Sequence, residues 1–98
     1  MRLRAIDKER IKAQIDFINR ITRGGEIDLE LAVAERKRLA DRVADKRLQF
    51  IKWMRAQRFT NARINEELRL FDELLRELRR DPTKTVDLSG LSNALGGL

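Results

Sequence analysis

Apolar residues recur along this chain at helical intervals and nowhere alternate as they would in a strand. Ile11, Ile15, Ile18 and Thr22 follow the i, i+4, i+7 spacing of one helix face, which Phe17 and Ile21 widen. The pattern predicts a first helix over about residues 8–23. Asp7 is its expected N-cap, and Gly24 is expected to end it in the left-handed conformation.

A heptad register starts near Asp28 and holds for about fifty residues. Val33, Ala40, Arg47, Met54, Asn61, Leu68 and Leu75 occupy one seam position. Leu29, Arg36, Val43, Phe50, Gln57, Ile64, Phe71 and Leu78 occupy the other. Eleven of these fifteen are apolar, enough to treat the stripe as a packing surface. The exceptions, Arg36, Arg47, Gln57 and Asn61, fall in its middle.

One unbroken helix over 28–80 would be a rod of about 80 Å. Local chemistry favours a break instead. Thr60 can cap a new helix, with Phe59 and Ile64 placed as a hydrophobic staple, and two polar seam positions coincide with the turn. The prediction is therefore an all-α fold with helices at about 8–23, 28–58 and 61–80. They would form a helical hairpin or three-helix arrangement with a long central helix and coiled-coil-like packing. Residues 1–81 form the helical domain, and 82–98 a C-terminal tail set off by Pro82.

Residues 35–47 offer only Leu39, Ala40, Val43 and Ala44 to a partner, and the first helix is too short to cover the second. The core looks thin for a monomer. A homo-oligomer joined through Ile64, Leu68, Phe71, Leu75 and Leu78 is expected, with a monomeric three-helix bundle as the alternative.

Composition narrows the function. Of 98 residues 39% are charged, and the net charge is +6. Residues 1–63 hold 17 Lys/Arg against 9 Asp/Glu, whereas 64–98 hold 5 against 7, so the front of the chain suits an anionic partner. There is no signal-like N-terminal apolar stretch and no run able to span a bilayer, so a cytoplasmic protein is expected.

Histidine, cysteine and tyrosine are absent, and the two serines, Ser89 and Ser92, have no base to activate them. Gly24-Gly25 lacks the spacing of a phosphate loop. The carboxylates Glu66, Glu67, Asp72, Glu73 and Glu77 have basic helical neighbours. The expected pairs are Glu66–Arg69, Arg69–Glu73, Asp72–Arg76 and Glu77–Arg80, surface contacts rather than a metal site. No catalysis, cofactor or metal is expected.

Two segments stand out. Residues 46–63 carry six cations and no acid, interleaved with Phe50, Trp53 and Phe59. Lys46, Lys52, Arg55, Arg58, Phe59 and Arg63 are the candidate contacts for DNA, RNA or another anionic partner. Released counterions would supply affinity, and an aromatic could stack a base. The alternatives are a solvated cationic face over core aromatics, or a basic helix lying on a membrane.

The second segment is the tail. Leu88, Leu91, Leu95 and Leu98 lie on one side of a short helix that would gain structure by docking on a protein partner or on the chain's own apolar stripe; plain disorder is the third reading. The combined reading is a non-enzymatic helical interaction protein that self-associates and touches nucleic acid with a basic face, in an accessory or packaging-type role. Its rival is a protein-only adaptor, chaperone or inhibitor that meets an acidic protein partner through the third helix and the tail.

Overall fold

The computed structural model describes residues 5–87, and they form three helices: α1, Ala5–Thr22; α2, Glu26–Ala56; and α3, Asn61–Leu78. The 31 residues of α2 rise about 46 Å, close to the 48 Å length of the molecule, which is 21 Å across. Both other helices pack on α2, and no Cα of α1 comes within 8 Å of one in α3. Arg42 donates to Gln14 at 2.7 Å, and Lys46 lies 3.6 Å from Asp7, so α1 runs antiparallel along the first part of α2. Arg47 pairs with Asp72 at 3.0 Å, and Phe50 meets Phe71 at 5.5 Å, so α3 runs antiparallel along the second part. The fold is all-α, a central helix shared by two hairpins.

One contiguous core results. It contains Ile11, Ile15 and Ile18 of α1, and Ala32, Leu39, Ala40, Val43, Phe50 and Met54 of α2. From α3 come Ile64, Leu68, Phe71, Leu74, Leu75 and Leu78. Burying each large aliphatic side chain is worth about 1.5–3 kcal/mol. The seam is widened by Ala32, Leu39 and Leu74, because α2 receives two partners on adjacent stripes. Phe17, expected to widen the α1 face, is instead 39% exposed, and the seam residue Val33 is 45% exposed.

Three local expectations are modified. The described helix α1 already includes Ala5 and Ile6, so Asp7 lies inside it rather than at the N-cap position, its carboxylate nearly buried beside Lys46. Gly24 does not take the left-handed conformation. It supplies space: a β-carbon there would sit 1.8 Å from Asp28 Oδ2 and 2.8 Å from Asp28 Cβ. The left-handed residue is Arg58, at φ 62°.

Arg58 belongs to a complete helix stop. Phe59 N–H donates to Met54 O at 3.1 Å and Arg58 N–H to Arg55 O at 3.0 Å, the two reversed bonds of a Schellman motif. Its apolar contact is also present: Phe59 meets the Trp53 ring edge-on at 5.7 Å. Phe59, expected at the start of α3, thus also closes the end of α2. Thr60 then caps α3 as expected, its hydroxyl accepting from Arg63 N–H at 3.2 Å.

Past α3 the chain does not leave the packed unit. Pro82 follows the helix end, and Asp81 Oδ1 accepts from Thr83 N–H at 2.9 Å and from its hydroxyl at 2.7 Å, an Asx turn. The following strap lies across to α1. Asn19 Oδ1 accepts from Val86 N–H at 2.7 Å, and Asn19 Nδ2 donates to Val86 O at 3.2 Å. Val86 is buried in the core. Residues 82–87, expected to belong to a C-terminal tail set off by Pro82, instead lie against the packed unit, with Val86 held beside α1. Among the described residues no helix is long and apolar enough to cross a membrane.

Candidate functional site

The apolar residues nominated for self-association have an internal use. Ile64, Leu68, Phe71, Leu75 and Leu78 are all buried against α2 of the same chain. The stripe that suggested an oligomer offers no free surface, and the argument from a thin core lapses with it. The seam arginine Arg47, which looked like a core defect, bridges α2 to Asp72 from a half-buried position. Asp72 therefore pairs across helices rather than with Arg76. Of the expected ion pairs within α3, Glu77–Arg80 forms at 3.1 Å, joined by Arg63–Glu67 at 3.0 Å. Among the described residues no group of three acidic side chains could hold a metal ion.

The basic segment is divided by the fold. Phe50 is buried and stacks on Trp53 with ring centres 6.2 Å apart, so neither reads as a free stacking platform. Lys46 is separated from the rest by its pairing with Asp7 under α1. Lys52, Arg55 and Arg58 are exposed and form no ion pair among the described residues. Arg63 is exposed but engaged with Glu67.

The four exposed cations gather at the end where α2 turns into α3, together with Phe59, which is 40% exposed. They do not form one flat ridge. At 100° per residue, Lys52 stands about 200° and Arg55 about 100° from the buried Met54. Arg58 occupies the turn, and Arg63 the first turn of α3. The arrangement is a cationic cap around a hairpin end with one accessible aromatic edge. It can attract phosphates from several directions.

One functional-grade side chain was read only as a heptad exception. Arg36 is 3% exposed. Its Nη2 donates to Lys84 O, under the strap, while its Nε is buried without a partner. Burial holds the guanidinium pKa below its ordinary value; Glu77 and Asp81 oppose that shift and Arg80 adds to it. An arginine on a mostly apolar seam was the available signal, but its partner lies 48 residues away. The docking leucines Leu88, Leu91, Leu95 and Leu98 lie outside the described residues. Comparison with protein-family models, with curated proteins and with solved structures returns no match.

Proposed function

We propose that this chain is a non-enzymatic helical binding protein whose α2–α3 end contacts the phosphate backbone of nucleic acid without reading its sequence. The observation that carries the reading is the trio Lys52, Arg55 and Arg58: exposed, free of ion pairs among the described residues, and set in an eighteen-residue stretch, 46–63, with no acid. Cations already neutralised by neighbours gain little from a phosphate. Unpaired ones displace condensed counterions and gain the entropy of their release. Phe59 adds an aromatic edge that a single-stranded base can meet. A non-catalytic role is supported by a sequence without histidine, cysteine or tyrosine. Self-association is no part of the proposal.

The test is fluorescence anisotropy with a labelled duplex and a labelled single strand over a salt series. Three phosphate contacts predict that log K falls with log salt with a slope of about 2.7 on duplex DNA. Lys52→Glu, Arg55→Glu and Arg58→Glu together should abolish binding while the far-ultraviolet circular dichroism stays helical, since all three side chains are exposed. No binding to either probe at low salt would refute the reading and leave an acidic protein partner for this surface.

A further inference from the structure

Four of the chain's five aromatic side chains form one series that leads to the α2–α3 end. Phe71 and Phe50 are buried in the core with ring centres 5.5 Å apart. Phe50 stacks on Trp53 at 6.2 Å with the ring planes 13° apart. Trp53, half-buried, meets Phe59 at 5.7 Å. The series runs outward from the core and ends on Phe59, which is 40% exposed.

Phe59 is fixed in place by the backbone. Its N–H donates to Met54 O at 3.1 Å, within the turn that stops α2. The apolar contact of such a turn asks only for an aliphatic group against Trp53 and does not call for an aromatic one left partly in water. The planes of Phe59 and Trp53 stand at 61°, so Trp53 covers at most one face of Phe59. A ring held by the backbone and backed by packed rings loses little freedom when a flat ligand settles on it. Residues 46–63 around it carry no acid, and Lys52, Arg55 and Arg58 are exposed and without ion pairs among the described residues.

We infer that the α2–α3 end prefers single-stranded nucleic acid to duplex, with an unpaired base stacked on Phe59 as the next ring of the series. This preference rests on the phosphate contacts proposed for the same end and selects the form of nucleic acid that makes them best. In a duplex the bases are stacked on one another behind the phosphates, so a ring at the tip of a hairpin finds no base face to meet. A single strand presents base faces to the ring and phosphates to the cations at once. Stacking of this kind is indifferent to sequence, because every base has a π face. It also adds affinity that salt does not remove, whereas counterion release fades as salt rises.

The test is fluorescence anisotropy of the full chain with a labelled oligothymidylate and a labelled duplex of equal length over a salt series. Extrapolated to about 1 M salt, where counterion release contributes nothing, the single strand should bind about tenfold more tightly than the duplex, a difference of about 1.4 kcal/mol. Phe59→Leu keeps an apolar group against Trp53 and removes the ring, so it should erase that difference and leave both salt slopes unchanged. Phe59→Tyr keeps the ring and should retain the difference. Trp53 is the sole tryptophan, so its emission gives a readout that needs no variant: the single strand should quench it and the duplex should not. If Phe59→Leu fails to fold, the Trp53 emission decides. Equal residual affinities, a preference that survives Phe59→Leu, or Trp53 emission unchanged by the single strand would each overturn the inference and leave the phosphate contacts standing. Binding to neither probe would overturn both.

Discussion

Replacing Asn19 by alanine removes both hydrogen bonds that hold the strap on α1. The Asn19 amide pairs with Val86 as another peptide group would, accepting at 2.7 Å and donating at 3.2 Å. Each such bond is worth about 0.5–1.5 kcal/mol net, so the direct loss is about 1–3 kcal/mol. Should Val86 also leave the core, its burial, about 1.5–3 kcal/mol, goes with it. The strap residues then regain about 1–2 kcal/mol each of conformational freedom. Those two terms oppose one another, so the hydrogen-bond figure sets the size of the effect. At about 4–8 °C per kcal/mol for a domain of this size, thermal unfolding should move down by at least about 4 °C. Amide exchange at Val86 is the sharper measurement, because its N–H loses its only acceptor and should exchange far faster. Asn19→Asp keeps that acceptor but sets a carboxylate against Val86 O, so it should restore part of the Val86 protection without restoring full stability. If Asn19→Ala leaves Val86 as protected as before, with the melting point within about one degree, the strap is held by something other than this pairing.

Two further outcomes follow from the turns. Arg58→Gly should raise stability by roughly 0.5–1 kcal/mol in urea titrations. A side chain at positive φ is strained by about 1–2 kcal/mol, and glycine returns part of that gain through a freer unfolded chain; a loss would mean the Arg58 side chain makes a compensating contact. Asp81 should titrate below its ordinary 3.8, held down by the Thr83 backbone and hydroxyl donors against an opposing effect of desolvation, with smaller help from Lys84 and Arg36. Its contribution to the Asx turn is therefore present above pH 3.8 and lost as pH falls through the depressed value. Carboxyl carbon titration should show this, and Thr83→Ala, which keeps the N–H donor, should raise the midpoint part of the way; a midpoint at or above 3.8 would refute the account.

The helices and the break between α2 and α3 were legible because their causes are local. Thr60 caps a helix within three residues of itself, and Gln57 and Asn61 interrupt the seam where the chain turns. The α3 stripe was legible too, but its partner was not. A heptad register names which residues want burial and leaves open whether the same chain or another copy provides it. Folding back on α2 answered that for Ile64 through Leu78.

What escaped were contacts at long range. Val86 looks like part of a separate tail until Asn19, 67 residues earlier, is brought beside it. Lys46 looks like one more cation in a basic run until α1 presents Asp7. Leu74 lies off the single seam of α3 and is nevertheless buried beside Leu75 and Leu78. For the candidate site, sequence named the cations at the hairpin end. Which of them remain unneutralised depends on neighbours that only the fold supplies.

The sharing of α2 also bears on how the molecule assembles and opens. Each hairpin joins sequence neighbours through a turn of three or four residues, so either can zip closed at little loop-closure cost, and fast folding is favoured. The Asn19–Val86 contact closes a loop of 67 residues and gains nothing until both hairpins exist. Its long loop therefore favours late formation, after both hairpins. Since no Cα of α1 lies within 8 Å of one in α3, the two helices are coupled mainly through α2. The strap ties the end of α3 to α1, so it converts two separately fraying hairpins into one cooperative unit.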